Sequence, residues 1–141
     1  RRNSSDPRGR NMRFWLFSGS VLGGIGVTAG SFGAHGLASL LNANGQAHNW
    51  ETSVRYCLFH AMVILVVAIA CALPHSHRCR RNLHVAGWCF LLGTIVFSGF
   101  LGVLSLTNIK QLGAIVPVGG VLLIVGWICL AVSALRLQED S

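Results

Sequence analysis

The chain has 141 residues, of which 52% are apolar and 11% are charged, and its formal net charge is +7. Soluble domains carry about 25% charged residues, so this composition excludes an ordinary soluble fold and favours a membrane protein. The basic residues flank long uncharged segments and form no basic face with interleaved aromatic residues, which argues against nucleic acid as a partner.

The N-terminal segment, residues 1–13, is polar and contains five arginines and one aspartate. An Arg-rich, Ser-containing and acid-poor composition is typical of organelle transit segments, and an ordinary basic tail before a membrane span has the same features. Both interpretations stay open. Because the segment has no initiating Met, we expect that upstream sequence was removed or omitted. A polar tail, residues 136–141, follows the predicted transmembrane domain, residues 14–135.

Four segments with almost no charge predict transmembrane helices. Each has about 20 residues and would span about 30 Å as a helix, which matches the hydrocarbon core of a bilayer. Short connections make neighbouring helices antiparallel. The sequence therefore predicts an all-α integral membrane bundle of four antiparallel helices, at about residues 14–34, 52–73, 85–106 and 114–135.

The connections between these spans are polar. Residues 37–49 predict a short re-entry and a loop, and Asn49 is a suitable N-cap for the second helix. Residues 74–84 predict a basic loop that contains Cys79, and residues 107–113 predict a short turn. The other cysteines lie in apolar segments, where a thiol behaves as a small hydrophobic group. No CxxC spacing occurs, so the sequence predicts neither a zinc site nor a thioredoxin-type site.

Five glycines of the first span lie on one helix face, because their spacings of 4, 3, 4 and 3 place them within an arc of about 80°. Glycine disfavours a helix in water, but lipid enforces the helix because backbone groups must be satisfied internally. The stripe predicts close packing of another helix, and glycines in the third and fourth spans favour a partner within the chain. The members of this glycine stripe are Gly19, Gly23, Gly26, Gly30 and Gly33.

Positive charge is distributed unequally across the predicted bundle. Both termini and the second connection share one side, which holds nine of the 11 arginine and lysine residues. The positive-inside rule places that side in the cytoplasm, or in the matrix for a mitochondrial protein. Arg78, Arg80 and Arg81 are a candidate site for an anionic lipid headgroup such as cardiolipin, and the alternative is that they only set topology.

Titratable residues near the opposite side form a candidate polar cluster. Glu51 and Arg55 are four residues apart, which predicts an ion pair that anchors the helix end, or else a charged site facing a proton path or a ligand. His60 is nine residues beyond Glu51, so it should lie deeper and on about the opposite helix face, where a functional role and a structural hydrogen bond are both open. His48 could join the cluster, but the spacing of these residues is not one that requires a metal site. The cluster consists of His35, Glu51, Arg55 and His60.

The sequence supplies no recognisable catalytic set. It has four acidic residues in all, and neither a Ser-His-Asp arrangement nor a phosphate-binding loop can be assembled. The glycines around Ile25 lack the preceding strand and the later acidic residue of a dinucleotide-binding fingerprint. We therefore expect neither enzyme activity nor a cofactor.

Four ordered blocks are distinctive: GSFGAHGL at residues 30–37, ETSVRY at 51–56, FSG at 97–99 and LGAIVPVGG at 112–120. Together they resemble the transmembrane protein 256 family, a group of unknown function. The resemblance implies a small four-helix membrane protein of a kind found in bacteria and in mitochondria, without an established activity. Phe100 and Val116 stand where the family's pattern has serine and threonine, which removes polar atoms from the bundle.

These features predict a non-enzymatic accessory subunit of a larger mitochondrial inner-membrane assembly of the respiratory chain, with both termini in the matrix. A bacterial inner membrane with cytoplasmic termini is the alternative location. The alternative function is a small transporter or proton-linked channel that uses the polar cluster. The expected partners are the lipid bilayer and other membrane-protein subunits.

Overall fold

The computed structural model describes residues 7–73 and 77–137. The described chain is helical apart from short turns, and a π-helical segment, Ile95–Gly99, joins two helices into one continuous third span. A 3-10 turn, Lys110–Ala114, precedes the last helix. The α-helices are α1 (Pro7–Ala34), α2 (Ala38–Ala43), α3 (Ala47–Ala72), α4 (His77–Thr94), α5 (Phe100–Thr107) and α6 (Val116–Leu137).

Four helical stretches are long and apolar enough to cross a membrane. This confirms the predicted all-α bundle. Every stretch is longer than predicted, because the apolar length fixes the part in hydrocarbon while polar turns extend the helix into the headgroup region. The stretches are Gly9–Ala34, Ala47–Ala72, Cys79–Thr107 and Lys110–Leu135.

Two predicted connections are wrong in detail. Asn49 is not an N-cap, because α3 begins at Ala47 after Gln46, and the Asn49 amide instead donates to Gln46 Oε1 at 2.6 Å. Most of the predicted basic loop is the start of α4, since arginine favours a helix and the polar turns continue the apolar span. Residues 74–76 lie outside the described chain.

Cys79 is also placed differently from the prediction. It lies inside α4 and is fully buried, and its thiol donates to the carbonyl oxygen of Ser133 at 3.6 Å. The surrounding core runs from the middle of the bundle to the end that carries the termini, and its largest members are Trp15, Phe90 and Ile64. A thiol in this position contributes to packing between α4 and α6.

The spans pack in series. Helix α1 packs on α3, α3 packs on the third span, and α6 packs on the third span. Within the most apolar part of each span, 44% of the α3 residues are buried, against 17% in α1 and 17% in α6. Helix α3 and the third span therefore form the centre, and α1 and α6 leave most of their surface to the membrane.

Candidate functional site

The glycine stripe of α1 faces α3 along its whole length. A Cβ atom at Gly26 would lie 2.7 Å from Leu58 Cδ2, and a Cβ atom at Gly33 would overlap the Trp50 indole. The stripe is thus covered by side chains of the same chain, which makes it a packing surface. From Gly19 to Gly33 its five glycines meet Leu65, Ala61, Leu58, Val54 and Trp50 in turn.

The close approach of α1 and α3 allows side chains of α3 to reach backbone carbonyls of α1. The Trp50 indole N–H donates to the carbonyl oxygen of Ala29 at 3.1 Å, and the Cys57 thiol donates to that of Leu22 at 3.4 Å. Sequence reasoning missed both contacts. The feature of the sequence that could have indicated these contacts is a polar side-chain atom on the face of α3 that packs against the glycine stripe.

The predicted polar cluster is divided between two cavities, both of which Arg55 lines. Glu51 and Arg55 line a cleft of about 530 Å³ between α1, α2 and α3, but they form no ion pair with each other. The predicted ion pair is therefore wrong. Both side chains are exposed, and solvation of the exposed charges offsets the attraction between them. His35 is exposed in the turn after α1. His60 lies nine residues beyond Glu51, on the opposite face of α3, and lines a different groove.

The candidate headgroup site is described only in part. Arg80 is partly buried and Arg81 is exposed near the start of α4, at the end of the bundle that carries both termini. The side chain of Arg78 lies outside the described residues. The assignment of an anionic lipid to these arginines stays a prediction. No group of three His, Cys, Asp or Glu residues in the described chain could hold a metal ion.

A groove of about 450 Å³ lies between α3, the π-helical segment and α6. Its walls are mostly aromatic, and the rings of Tyr56 and Phe97 stack with centroids 4.4 Å apart. Arg55 also lines it, one and a half helical turns before His60. We call it the aromatic groove, and its main lining residues are Tyr56, Phe59, His60, Phe97, Gly120 and Trp127.

His60 is the one polar residue deep in the aromatic groove, and only 4% of its surface is exposed. Its Nδ1 lies 2.9 Å from the backbone carbonyl oxygen of Tyr56. A carbonyl only accepts hydrogen bonds, so Nδ1 carries the proton and Nε2 of the neutral ring is an acceptor. The Phe90 and Trp127 rings lie 5.8 and 6.3 Å from the imidazole. The signal for this arrangement was the aromatic residues around His60 in α3.

The π-helical segment forms one side of the aromatic groove. It leaves the Ser98 carbonyl available to the neighbouring helix, and the Ser53 hydroxyl donates to it at 2.7 Å. The hydroxyls of Thr94 and Ser98 are buried without a hydrogen-bond partner in the described structure. π-Helical turns occur frequently at functional sites, and this one places Phe97 in the groove. No local sequence pattern predicts the π-helical segment, because it depends on contacts between helices.

Amide side chains join the two connections at the end opposite the termini. The Asn44 amide donates to the carbonyl oxygens of Ser105 and Leu106, both at 3.2 Å, and the Gln46 amide donates to Asn108 Oδ1 at 3.1 Å. The last carbonyls of a helix have no partner within the helix, so Asn44 caps α5. Asn108 has the positive φ of 56° that often ends a helix. These residues stabilise the fold and form no reactive site.

The four spans, the intramolecular glycine packing and the laterally placed groove define a multi-pass integral membrane protein. A family model described as "Protein of unknown function (DUF423)" matches residues 29–120. The UPF0382 membrane protein SH2409 of Staphylococcus haemolyticus is 35% identical over 125 residues, which cover 89% of this chain and 98% of the relative. The UPF0382 membrane protein YwdK of Bacillus subtilis is 36% identical over 125 residues, with the same coverage.

The chain therefore belongs to the DUF423/UPF0382 family of membrane proteins, whose function is unknown. These relatives are bacterial. No solved structure matches the chain significantly. Membership agrees with the expected family of unknown function, while the family name transmembrane protein 256 does not occur in these matches.

Proposed function

We propose that the protein is a non-enzymatic accessory subunit of a larger inner-membrane assembly. The supporting observation is the outward face of α1, where small residues recur at helical spacing away from α3. A Cβ atom at Gly24 on this face would meet nothing within 4 Å, so the surface is open to a second chain. Small residues permit the close approach of another transmembrane helix. The exposed residues concerned are Ser20, Gly24, Thr28 and Ser31.

The absence of an assembled reactive set in the described chain supports the non-enzymatic part of the proposal. The cleft that holds Glu51 and Arg55 is lined by no serine, threonine, cysteine, lysine or histidine that could act with them. The polar atom Nδ1 of His60 is committed to the backbone of its own helix. Nucleophilic or acid–base catalysis needs such groups within hydrogen-bond reach of one another.

For the location, we propose the mitochondrial inner membrane and an assembly of the respiratory chain, with both termini in the matrix. The Arg-rich, acid-poor composition of residues 1–13 and the resemblance to a family with mitochondrial members support this proposal. The bacterial relatives support the alternative, a bacterial inner membrane with cytoplasmic termini. The excess of positive charge on the side of the termini applies to both locations.

Purification in mild detergent tests the subunit role. The tagged protein should co-migrate with a large membrane complex, and Gly24→Leu should release it as a small species while leaving its own fold intact. Ala131→Leu is the matched control, because it enlarges a small exposed residue on α6. Migration of the wild-type protein solely as a free small species would rule out the proposal.

A transporter or proton-linked channel remains the second candidate, supported by the buried and unpaired hydroxyls of Thr94 and Ser98. It is weaker because His60 and Glu51 lie in separate grooves. It predicts a flux in liposomes that is lost when His60 or Glu51 is replaced. A wild-type protein without flux would remove this candidate.

A further inference from the structure

One ring nitrogen of His60, deep in the aromatic groove, has no hydrogen-bond partner in the described chain. In the described part of the chain, only the hydroxyls of Thr94 and Ser98 are fully enclosed without a hydrogen bond. His60 Nε2 also lacks a partner, and since it is not one of these enclosed atoms, it is open to the groove. An acceptor that faces an apolar groove without a hydrogen bond is costly, so the site favours an occupant that supplies a donor.

The walls of the aromatic groove define the shape of that occupant. Its volume of about 450 Å³ lies in the range of small-molecule sites, and such sites combine apolar walls with a few polar groups. Tyr56, Phe59 and Trp127 surround the imidazole with aromatic surface. Aromatic rings pair well with another ring in offset or edge-to-face geometry. The groove therefore fits a planar ring that carries a hydrogen-bond donor.

The position of the groove defines where the occupant comes from. Phe59 and Trp127 are 55% and 41% exposed on the outer surface of the bundle, which contacts lipid. At 1.5 Å per residue, His60 lies about 20 Å from the start of α3, near the middle of the bilayer. An occupant therefore reaches His60 from the hydrocarbon region and must be soluble in lipid.

We propose that the aromatic groove binds a lipid-soluble hydroquinone, with one hydroxyl donating to His60 Nε2 and the ring held between the aromatic side chains. Arg55 lines the same groove and offers guanidinium donors to the oxygen at the other end of the ring. A lipid acyl chain would leave Nε2 without a donor. An oxidised quinone presents only carbonyl acceptors and would do the same. The contact with His60 Nε2 therefore favours the reduced form, because only the hydroquinone supplies the donor that this atom needs.

Calorimetric titration of the full chain in phosphatidylcholine nanodiscs tests this proposal. The probes are trimethylhydroquinone under anaerobic conditions, its dimethyl ether and the oxidised trimethylquinone, each corrected with empty nanodiscs. The hydroquinone should bind about tenfold more tightly than either of the other two, since one hydrogen bond of ordinary strength corresponds to about that factor. Equal binding of the dimethyl ether would overturn the proposal and indicate a groove for acyl chains.

Two variants locate the binding. His60→Phe keeps a ring and removes the acceptor, so the preference for the hydroquinone should disappear; a preference that persists would overturn the role of His60. Gly120→Val adds bulk to the groove, and its Cβ atom would lie 3.8 Å from Phe97 Cδ2, an ordinary contact. It should weaken hydroquinone binding at least tenfold.

The matched control is Gly24→Val, the same change at an open position on α1, which should bind the probes like the wild type. If His60→Phe does not fold, Gly120→Val and its control still decide the matter. Unchanged binding by folded Gly120→Val would place the hydroquinone elsewhere and overturn the proposal. The result does not depend on co-migration with a larger assembly, so this inference and the subunit role can fail separately.

Discussion

Two glycine-rich interfaces hold the bundle together, and they use glycine differently. Between α1 and α3, the glycines belong to α1 and accept side chains of α3, as at Gly26, where an added Cβ atom would lie 2.7 Å from Leu58 Cδ2. Between the third span and α6, an added Cβ atom at Gly119 would contact the backbone of Phe97 and lie 2.9 Å from the carbonyl oxygen of Gly93. At Gly26 the nearest atoms belong to a side chain that can rotate, whereas at Gly119 they belong to backbone that cannot.

The second interface also connects packing to the aromatic groove. The π-helical segment presents the backbone of Phe97 to Gly119, and the Phe97 side chain lines the groove. The next residue of α6, Gly120, lines the groove as well. Close packing of α6 therefore sets the width of the aromatic groove, which the glycine stripe of α1 does not line.

The largest effect should come from Gly119→Ala. Its new methyl group would lie 2.8 Å from Phe97 Cα, and neither backbone can move without separating the helices. We expect a loss of about 3 kcal/mol in the free energy of unfolding, the upper part of the usual cost of overpacking. Unfolding in mixed micelles, followed by circular dichroism, measures it.

Gly120→Ala is the matched control for this variant. Its Cβ atom would make only ordinary contacts, 3.8 Å from Phe97 Cδ2, so the stability should change by less than about 0.5 kcal/mol. If Gly119→Ala were as stable as Gly120→Ala, the backbone contact would not limit this interface and the contrast between the two interfaces would be lost.

Gly26→Ala should have a smaller effect that a second mutation can relieve. We expect a loss of about 2 kcal/mol, because the Leu58 side chain must leave its preferred position. In a double-mutant cycle, Leu58→Ala should recover at least about 1 kcal/mol of this loss, since it removes the contacting atoms. The corresponding cycle of Gly119→Ala with Phe97→Ala should recover little, because the contacting atoms there are backbone. Equal recovery in both cycles would contradict the distinction.

This contrast shows how far the sequence could predict the fold. The four spans follow from apolar length and charge, which are local properties, and so does the face on which the glycines of α1 lie. The identity of the neighbouring atoms is not local. Nothing in the chain around Gly119 reveals that it meets backbone while Gly26 meets a leucine side chain. The burial of Cys79 is not local either, since the thiol is buried only once α4 and α6 pack.

The sequence could predict one residue of the candidate site, His60, but it could not predict how the residues of the site are arranged. His60 stood out because a titratable residue in an apolar span is unusual. It was grouped with Glu51 in one cluster although the helical period already predicts opposite faces of α3 for the two residues, and in the structure they line separate cavities. The walls of its groove come from three separate segments, α3, the π-helical segment and α6. Only the folded chain brings those segments together.

A moderate effect is expected where the π-helical segment is tied to α3. Ser53→Ala removes the hydroxyl that donates to the Ser98 carbonyl at 2.7 Å and should cost about 1 kcal/mol, within the range of hydrogen bonds between membrane helices. Ser105→Ala is the control, because the buried Ser105 hydroxyl bonds only to Leu101 of its own helix and its loss should cost less. Equal losses would mean that the bond between α3 and the π-helical segment does not stabilise the third span.

The smallest effect should come from Gly23→Ala, the position in the glycine stripe with the most space. Its Cβ atom would lie 3.9 Å from the Ala61 Cβ atom, close enough to gain dispersion contact and too far to clash. We expect a stabilisation of less than about 0.5 kcal/mol, which the same micelle unfolding resolves when Gly24→Ala, with open space around it, serves as the reference. A clear destabilisation by Gly23→Ala alone would show that packing of α1 on α3 requires glycine at every position of the stripe. The α1–α3 interface would then tolerate an added methyl group as poorly as the interface at Gly119.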